Sequence, residues 1–323
     1  MSAYQRIARI TIAATLFLIG VGGIVRGSGA GLGCPDWPKC FGMWFPPTSV
    51  GQIPPEWWAA HPNASPAEFN VVHTMTEYVN RLIGVSVGLL ILFTFFRSLK
   101  YRRIRPAVTY CSALAAIFVA FEGWLGGVVV ESQLKPLIVT AHMLFAILIL
   151  LLLLYAAYIE APEKSAVVLP SPARERLIWL VGTLFAVSFV QMLIGTQVRE
   201  SIEEVAAILP NLSRDKLLEQ VGFLDHFHRS SSWVVLALSA GVFLLCREGR
   251  AKTDLGNQSN LNLALVVAQV LAGVGLAYAG LPPALQVAHL VLGASIIASQ
   301  FWFLLRLTRV GATSRIEGAS FAA

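Results

Sequence analysis

Asn80, His142, His228 and His289 each lie far inside a long apolar stretch, where a polar side chain is costly and is a functional candidate by default. Counted from the charged residue at one end of each stretch (Arg97, Glu160, Arg247 and Arg306), they are 17, 18, 19 and 17 residues in. At the rise of a helix that is roughly 25–29 Å, so the four share one level. Imidazoles at one level on neighbouring helices are what coordinating a flat iron porphyrin between helices requires. A lone membrane histidine is more often a hydrogen-bonded core residue. Two at equal depth, His228 and His289, form a ligand arrangement. His226 is two residues from His228, points elsewhere on its helix and reads as structural, and His61 lies in a polar loop with no case as a ligand.

These residues recur in matched settings. Glu77-Tyr78-Val79-Asn80-Arg81 has a counterpart in Asp225-His226-Phe227-His228-Arg229. His142 and His289 each have a glycine 16 residues upstream (Gly126, Gly273) and a Glu or Gln 20 upstream (Glu122, Gln269). Gly22-Gly23-Ile24-Val25-Arg26 matches Gly195-Thr196-Gln197-Val198-Arg199. Taken in the same order, the matches predict a tandem repeat of four helices, with both copies in one orientation.

The elements that must carry these positions follow from composition. Of 323 residues, 56% are hydrophobic and 13% charged, against about 25% charged in an average soluble protein. Mean hydropathy is +0.68. Eight spans of about 20 residues would take about half of such a chain. A soluble enzyme, a disordered chain, a disulfide-dense secreted domain and a nucleic-acid binder are excluded. The apolar runs predict an all-α polytopic membrane protein with helices near 7–27, 66–97, 106–131, 136–159, 176–199, 220–246, 259–279 and 284–307. Gly280-Leu281-Pro282-Pro283 breaks the last uncharged run into two helices. Ser65-Pro66-Ala67-Glu68 reads as the capped start of the second. The first apolar run has a basic end but no small-residue cleavage site, so it reads as a helix rather than a leader. The repeat divides the chain into halves at 1–160 and 161–323, and the long loop 28–65, rich in Pro, Gly and Trp, reads as a lid.

Lys and Arg divide unequally. Sixteen of the 24 fall on the side of the N-terminus, and Arg26, Lys39, Lys135, Arg199, Arg214 and Lys216 on the other. Both termini are therefore expected in the cytoplasm. Cys34 and Cys40 then lie in the outer loop, on the oxidising side, as a structural disulfide or a redox-active pair.

Gly-Leu-Gly-Cys-Pro-Asp-Trp-Pro-Lys-Cys at 31–40 resembles the haem A synthase family, as do Glu-Tyr-Val-Asn-Arg at 77–81, the His-Arg at 228–229, the Val-Arg endings at 25–26 and 198–199, and the eight-helix repeat. The resemblance runs over nearly the whole chain. It implies oxidation of the C8 methyl of haem O to the formyl of haem A, by successive hydroxylations with oxygen from water. It implies a haem b held in the C-terminal half by His228 and His289. The substrate haem would sit in the N-terminal half with His142, and Glu77 would be the catalytic carboxylate. Asn80 stands where the commoner pattern has a second histidine, so the substrate iron has one protein ligand, or His73 binds it in a shifted pose. A base beside the carbon suits Glu77; pairing with Arg81 one turn away is its structural alternative. Arg26 and Arg199, at outer helix ends, could pair with haem propionates or anchor at the interface. Glu122, a second buried carboxylate, carries no assigned role. Implied partners are haem O synthase and a thiol-redox or quinone electron partner, in a bacterial-type plasma membrane, with no nucleic acid. A non-enzymatic dihaem b electron carrier would explain the histidines but not Glu77, Asn80 or the lid. A transporter would need its site near the midplane.

Overall fold

In a computed structural model, described for residues 2–161, 171–248 and 254–320, the chain is built from helices, with no strand among the described residues. Lys164, Arg250 and Lys252, counted above with the basic residues of one side, lie outside the described residues. In chain order the helices are α1 Ala3–Gly27, α2 Pro55–Ala60, α3 Val71–Ser98, α4 Pro106–Glu131, α5 Pro136–Glu160, α6 Ser171–Ile208, α7 Arg214–Val221, α8 Phe223–Glu248, α9 Asp254–Tyr278 and α10 Pro283–Ser320. All but α2 and α7 include a span long and apolar enough to cross a membrane, eight among the described residues. The chain is an all-α integral membrane protein, and its helices are compatible with two repeats of four.

Local chemistry sets several ends. Ser2 and Gln5 form a reciprocal capping box at the start of α1. The predicted start of the second span needs correction. Ser65 does cap, accepting from the Ala67 N–H, but the turn it opens is a separate one, Pro66–Glu68. Phe69 then extends and packs edge-on to Phe41, 5.6 Å between centroids, so the helix cannot continue through it. Asn70 starts α3 instead, its Oδ1 accepting from the N–H groups of Val72 and His73 at 3.0 and 3.2 Å. Between α9 and α10, Gly280 and Leu281 take φ of 69° and 56°, which reverses the chain where the sequence breaks the apolar run.

Two compact units emerge, residues 2–153 and residues 154 onward, with the boundary inside α5. In the first, Val87 and Ile91 of α3, Ala115 of α4 and Ile149 and Leu153 of α5 form a core that Ile12 and Leu18 of α1 complete. Lipid tails give apolar side chains no reason to leave them, so packing and interhelical hydrogen bonds hold such helices. Tyr4 Oη to Ser112 Oγ and Thr11 Oγ1 to Thr94 Oγ1, both 2.8 Å and both buried, are two of these bonds.

In the second unit α6, α8, α9 and α10 pack in a closed ring around Val181, Leu184, Val242, Val266, Ile296 and Phe303. α6 overshoots the expected end near 199 by about two and a half turns. Its stripe Val198, Ile202, Val205 keeps helical spacing and packs with Leu217 of α7 and Leu281 into a small apolar cap. The N-terminal half is thus not alone in carrying extramembrane cover.

Candidate functional site

His228 on α8 and His289 on α10 hold their rings 6.4 Å apart between centroids, with planes at 70°. One iron bound by both needs two metal–nitrogen bonds of about 2 Å, as at zinc, plus the half-widths of two rings, or about 6 Å in total. The sequence folds to make this room. A Cβ on Gly195 of α6 would stand 2.9 Å from His228 Cε1, and one on Gly273 of α9 would stand 3.3 Å from His289 Cε1. His228 Nδ1 is buried with no hydrogen-bond partner in the protein, while the His289 ring meets the Gln269 backbone. With this spacing and burial, His228 and His289 could together hold the iron of a porphyrin. Gln191 holds the His228 turn in place: its Nε2 donates to the His228 carbonyl while its Oε1 accepts from Ser231 at 2.7 Å. His226 lies 3.4 Å from Arg229, not in the pair.

The first unit brings together a different set. His142 on α5 places Nδ1 3.1 Å from Glu122 Oε1 on α4, and its Cε1 lies 3.5 Å from where a Gly126 Cβ would be. A carboxylate on one ring nitrogen fixes the ring's orientation, an arrangement common among metal-ligating histidines. Asn80 Oδ1 is buried with no protein partner. Gly22, the counterpart of Gly195, would find no atom within 4 Å of an added Cβ. His73 sits in the first turn of α3, its backbone pressed against Gly33, where any Cβ would overlap it.

Glu77, 4% exposed, has both carboxylate oxygens occupied. Oε2 accepts from the Cys34 N–H at 2.7 Å, and Oε1 accepts from Arg81. Arg81 spends its other donors on the carbonyls of Cys34, Asp36 and Lys39, at 2.7, 2.8 and 2.8 Å. Pairing within α3 is therefore present, and the same pair fastens the loop to the helix. The loop has a core of its own: Cys34 and Cys40, joined by a disulfide of 2.05 Å, with Phe41, Ile53 and Trp57. His61 closes that core by stacking on Trp57 at 4.2 Å. Trp37 covers Gly127 of α4, where a Cβ would come within 2.8 Å of the indole. In the second unit Asp225 and Arg229 pair at 2.6 Å in the corresponding positions.

Arg26 falls in the last turn of α1, and Arg199 pairs with Glu203 at 2.7 Å. Sequence reasoning missed three partners: Arg81 as the clamp of the loop, Glu122 as the partner of His142, and Gln191 behind His228. The repeat offered a signal for Glu122, since it stands at the same offset from His142 as Gln269 from His289.

Residues 5–301 match the family model COX15-CtaA, described as a cytochrome oxidase assembly protein. A heme A synthase from Shewanella oneidensis is 34% identical over 151 residues, 46% of this chain and 43% of that protein. One from Wolbachia pipientis subsp. Culex pipiens is 28% identical over 178 residues, 51% and 54% of the two chains. One from Ehrlichia canis is 29% identical over 153 residues, 43% and 44%. In each case the chain covers about half the length of the relative. With a family match from Gln5 to Phe301, the chain belongs to the COX15-CtaA family of cytochrome oxidase assembly proteins, the haem A synthase family that its motifs resemble.

Proposed function

We propose that this chain is a haem A synthase, converting the C8 methyl of haem O to a formyl group by two hydroxylations that take oxygen from water. The overall change is CH₃ + H₂O → CHO + 4 H⁺ + 4 e⁻, the electrons leaving to a thiol-redox or quinone acceptor. The observation that carries this reading is the His228–His289 pair, 6.4 Å apart between glycines that admit both rings, in a chain of this family.

His228 and His289 would hold haem b, which supplies a one-electron redox centre when bound. In the N-terminal half His142 would bind the iron of the substrate, with Glu122 fixing the ring so that Nε2 faces the iron. Asn80 would face the substrate haem without ligating it. Glu77, buried one turn from Asn80, would accept the proton lost from the methyl carbon. The Cys34 N–H and Arg81 hold that carboxylate in one orientation, which a base acting on a fixed carbon needs. Arg26 and Arg199 would pair with propionates at the helix ends. The two repeats, 1–160 and 161–323, would thus divide the work between substrate and cofactor. Sixteen basic residues on one side support cytoplasmic termini in a bacterial-type membrane, where haem O synthase would supply the substrate.

The test is haem A formed per cell in a strain lacking its own synthase, with the haems extracted from the purified protein identified by chromatography. Haem A formation, with haem b and haem O or A in the extract, is expected. Haem b alone, at two equivalents and with no haem A formed, would make the chain an electron carrier.

A further inference from the structure

A group of buried polar residues interrupts the apolar core of the ring formed by α6, α8, α9 and α10. On the Arg247 and Arg306 side of the histidines, Ser188 of α6, Ser239 of α8, Asn262 of α9 and Gln300 of α10 are buried, with 6%, 1%, 2% and 0% exposure. Side chains this covered are enclosed by protein rather than turned to lipid. Each lies on the core-facing stripe of its helix. Ser239 lies between Val235 and Val242, Gln300 between Ile296 and Phe303, Asn262 one turn from Val266, and Ser188 one turn from Leu184. All of those apolar neighbours belong to a single core cluster. The polar side chains therefore point into the interior that the cluster fills.

Contacts higher in the bundle fix the register. Gly273 meets His289, and Gln269 meets Gly293. Asn262 and Gln300 lie eleven residues further from Gly273 and His289, and Ser239 lies eleven beyond His228. At helical rise that is about 16 Å, so the three stand within about one turn of each other, with Ser188 slightly nearer the histidines.

No polar side-chain atom of these residues has a hydrogen-bond partner in the protein: Ser188 Oγ, Ser239 Oγ, both atoms of the Asn262 amide and both of the Gln300 amide. Upwards of 90% of buried polar groups in proteins are paired, so six orphans at one level of one bundle point to a shared partner. The set is neutral and offers donors and acceptors together, which suits water.

We propose that this level of the C-terminal bundle is a hydrated site, where ordered water molecules are bound by Asn262, Gln300, Ser239 and Ser188. Polar side chains continue the file in both directions. Toward the arginines, Gln258 donates to Ser299 Oγ at 2.9 Å. Toward His228, Gln191 and Ser231 are already joined. Nothing in this site depends on the reading of the histidines.

Cryo-electron microscopy of the full-length protein in lipid nanodiscs, at a resolution that shows water elsewhere, tests the site directly. Discrete peaks within hydrogen-bond reach of Asn262 and Gln300 are expected. A dry interior there, or density for a larger molecule, would overturn the proposal. Melting of the Asn262→Leu/Gln300→Met variant gives a second readout. A dry layer gains stability when uncompensated polar groups are removed. A hydrated one loses its water and leaves Ser188 and Ser239 stranded, so a lower midpoint supports the site and an equal or higher one counts against it. If the double variant does not accumulate, Gln300→Met alone is read the same way.

Discussion

Glu77 and Glu122 show how differently two buried carboxylates in one unit can be employed. Glu122 touches the ring of His142, whereas Glu77 is gripped by Arg81 and the loop. Glu122→Leu should therefore unpin His142 and lower haem A formation about 10–100-fold. Glu122→Gln, which keeps an acceptor oxygen, should fall between it and the parent, and the substrate-haem spectrum should follow the same order. For Glu77→Gln, Arg81 keeps its three carbonyl partners, so a stability loss of about 1–3 kcal/mol is expected, with the protein still accumulating. Turnover should drop by about 10²–10⁴-fold if the carboxylate is the base. Near-normal haem A would leave Glu77 as a loop anchor. His228→Ala and His289→Ala should each abolish the low-spin haem b spectrum, and an unchanged spectrum in both would remove the pair as its ligands. At this scale the sequence was informative, because charged and imidazole groups inside apolar runs announce themselves. It could not show which of two carboxylates faces the imidazole, since that depends on helix rotation.

Helix faces carry their own tests. Gly195→Ala pushes a Cβ to 2.9 Å from His228 Cε1, so the haem b signal should weaken or shift. Gly22→Ala meets no atom within 4 Å and should be silent in the same assay. It should even gain up to about 1 kcal/mol from helix propensity. Asn70→Ala should cost about 1 kcal/mol at the start of α3. The disulfide closes a loop short enough that Cys34→Ser with Cys40→Ser should cost about 2 kcal/mol by chain entropy. Mass mapping of the unreduced protein should find the two cysteines joined. The loop was the least legible element: Trp, Pro and Gly give no period, so neither its own core nor α2 could be read. Phe69 likewise leaves the helix that Ser65 appeared to begin, because its ring is drawn to Phe41.

For the molecule as a whole, eight spans were legible because long apolar runs end in charge, and the approach of His228 to His289 because helical rise is constant. The extension of α6 to Ile208 and the existence of α7 were not. There the apolar signal thins to one residue per turn among glutamates, which a hydropathy reading treats as a loop. The polar layer of the C-terminal bundle was equally hidden, since Ser, Asn and Gln in an apolar run do not declare which way they face.

The unpartnered, buried oxygen of Asn80 bears on how a substrate haem would come and go. On the proposed function one half must release its porphyrin after every cycle, while the other must keep its own. A porphyrin gripped by two imidazoles has two bonds to break before it can leave, and one gripped by His142 alone has a single bond. On that reading Asn80, where the commoner pattern has histidine, would shorten the residence of the substrate haem, and departure of product is a common bottleneck in catalysis. By the same reading, supplying a second imidazole with Asn80→His should lengthen the stay of the substrate haem. The purified variant should carry more tightly held haem O or A, exchange it more slowly with added haem, and deliver less haem A per hour.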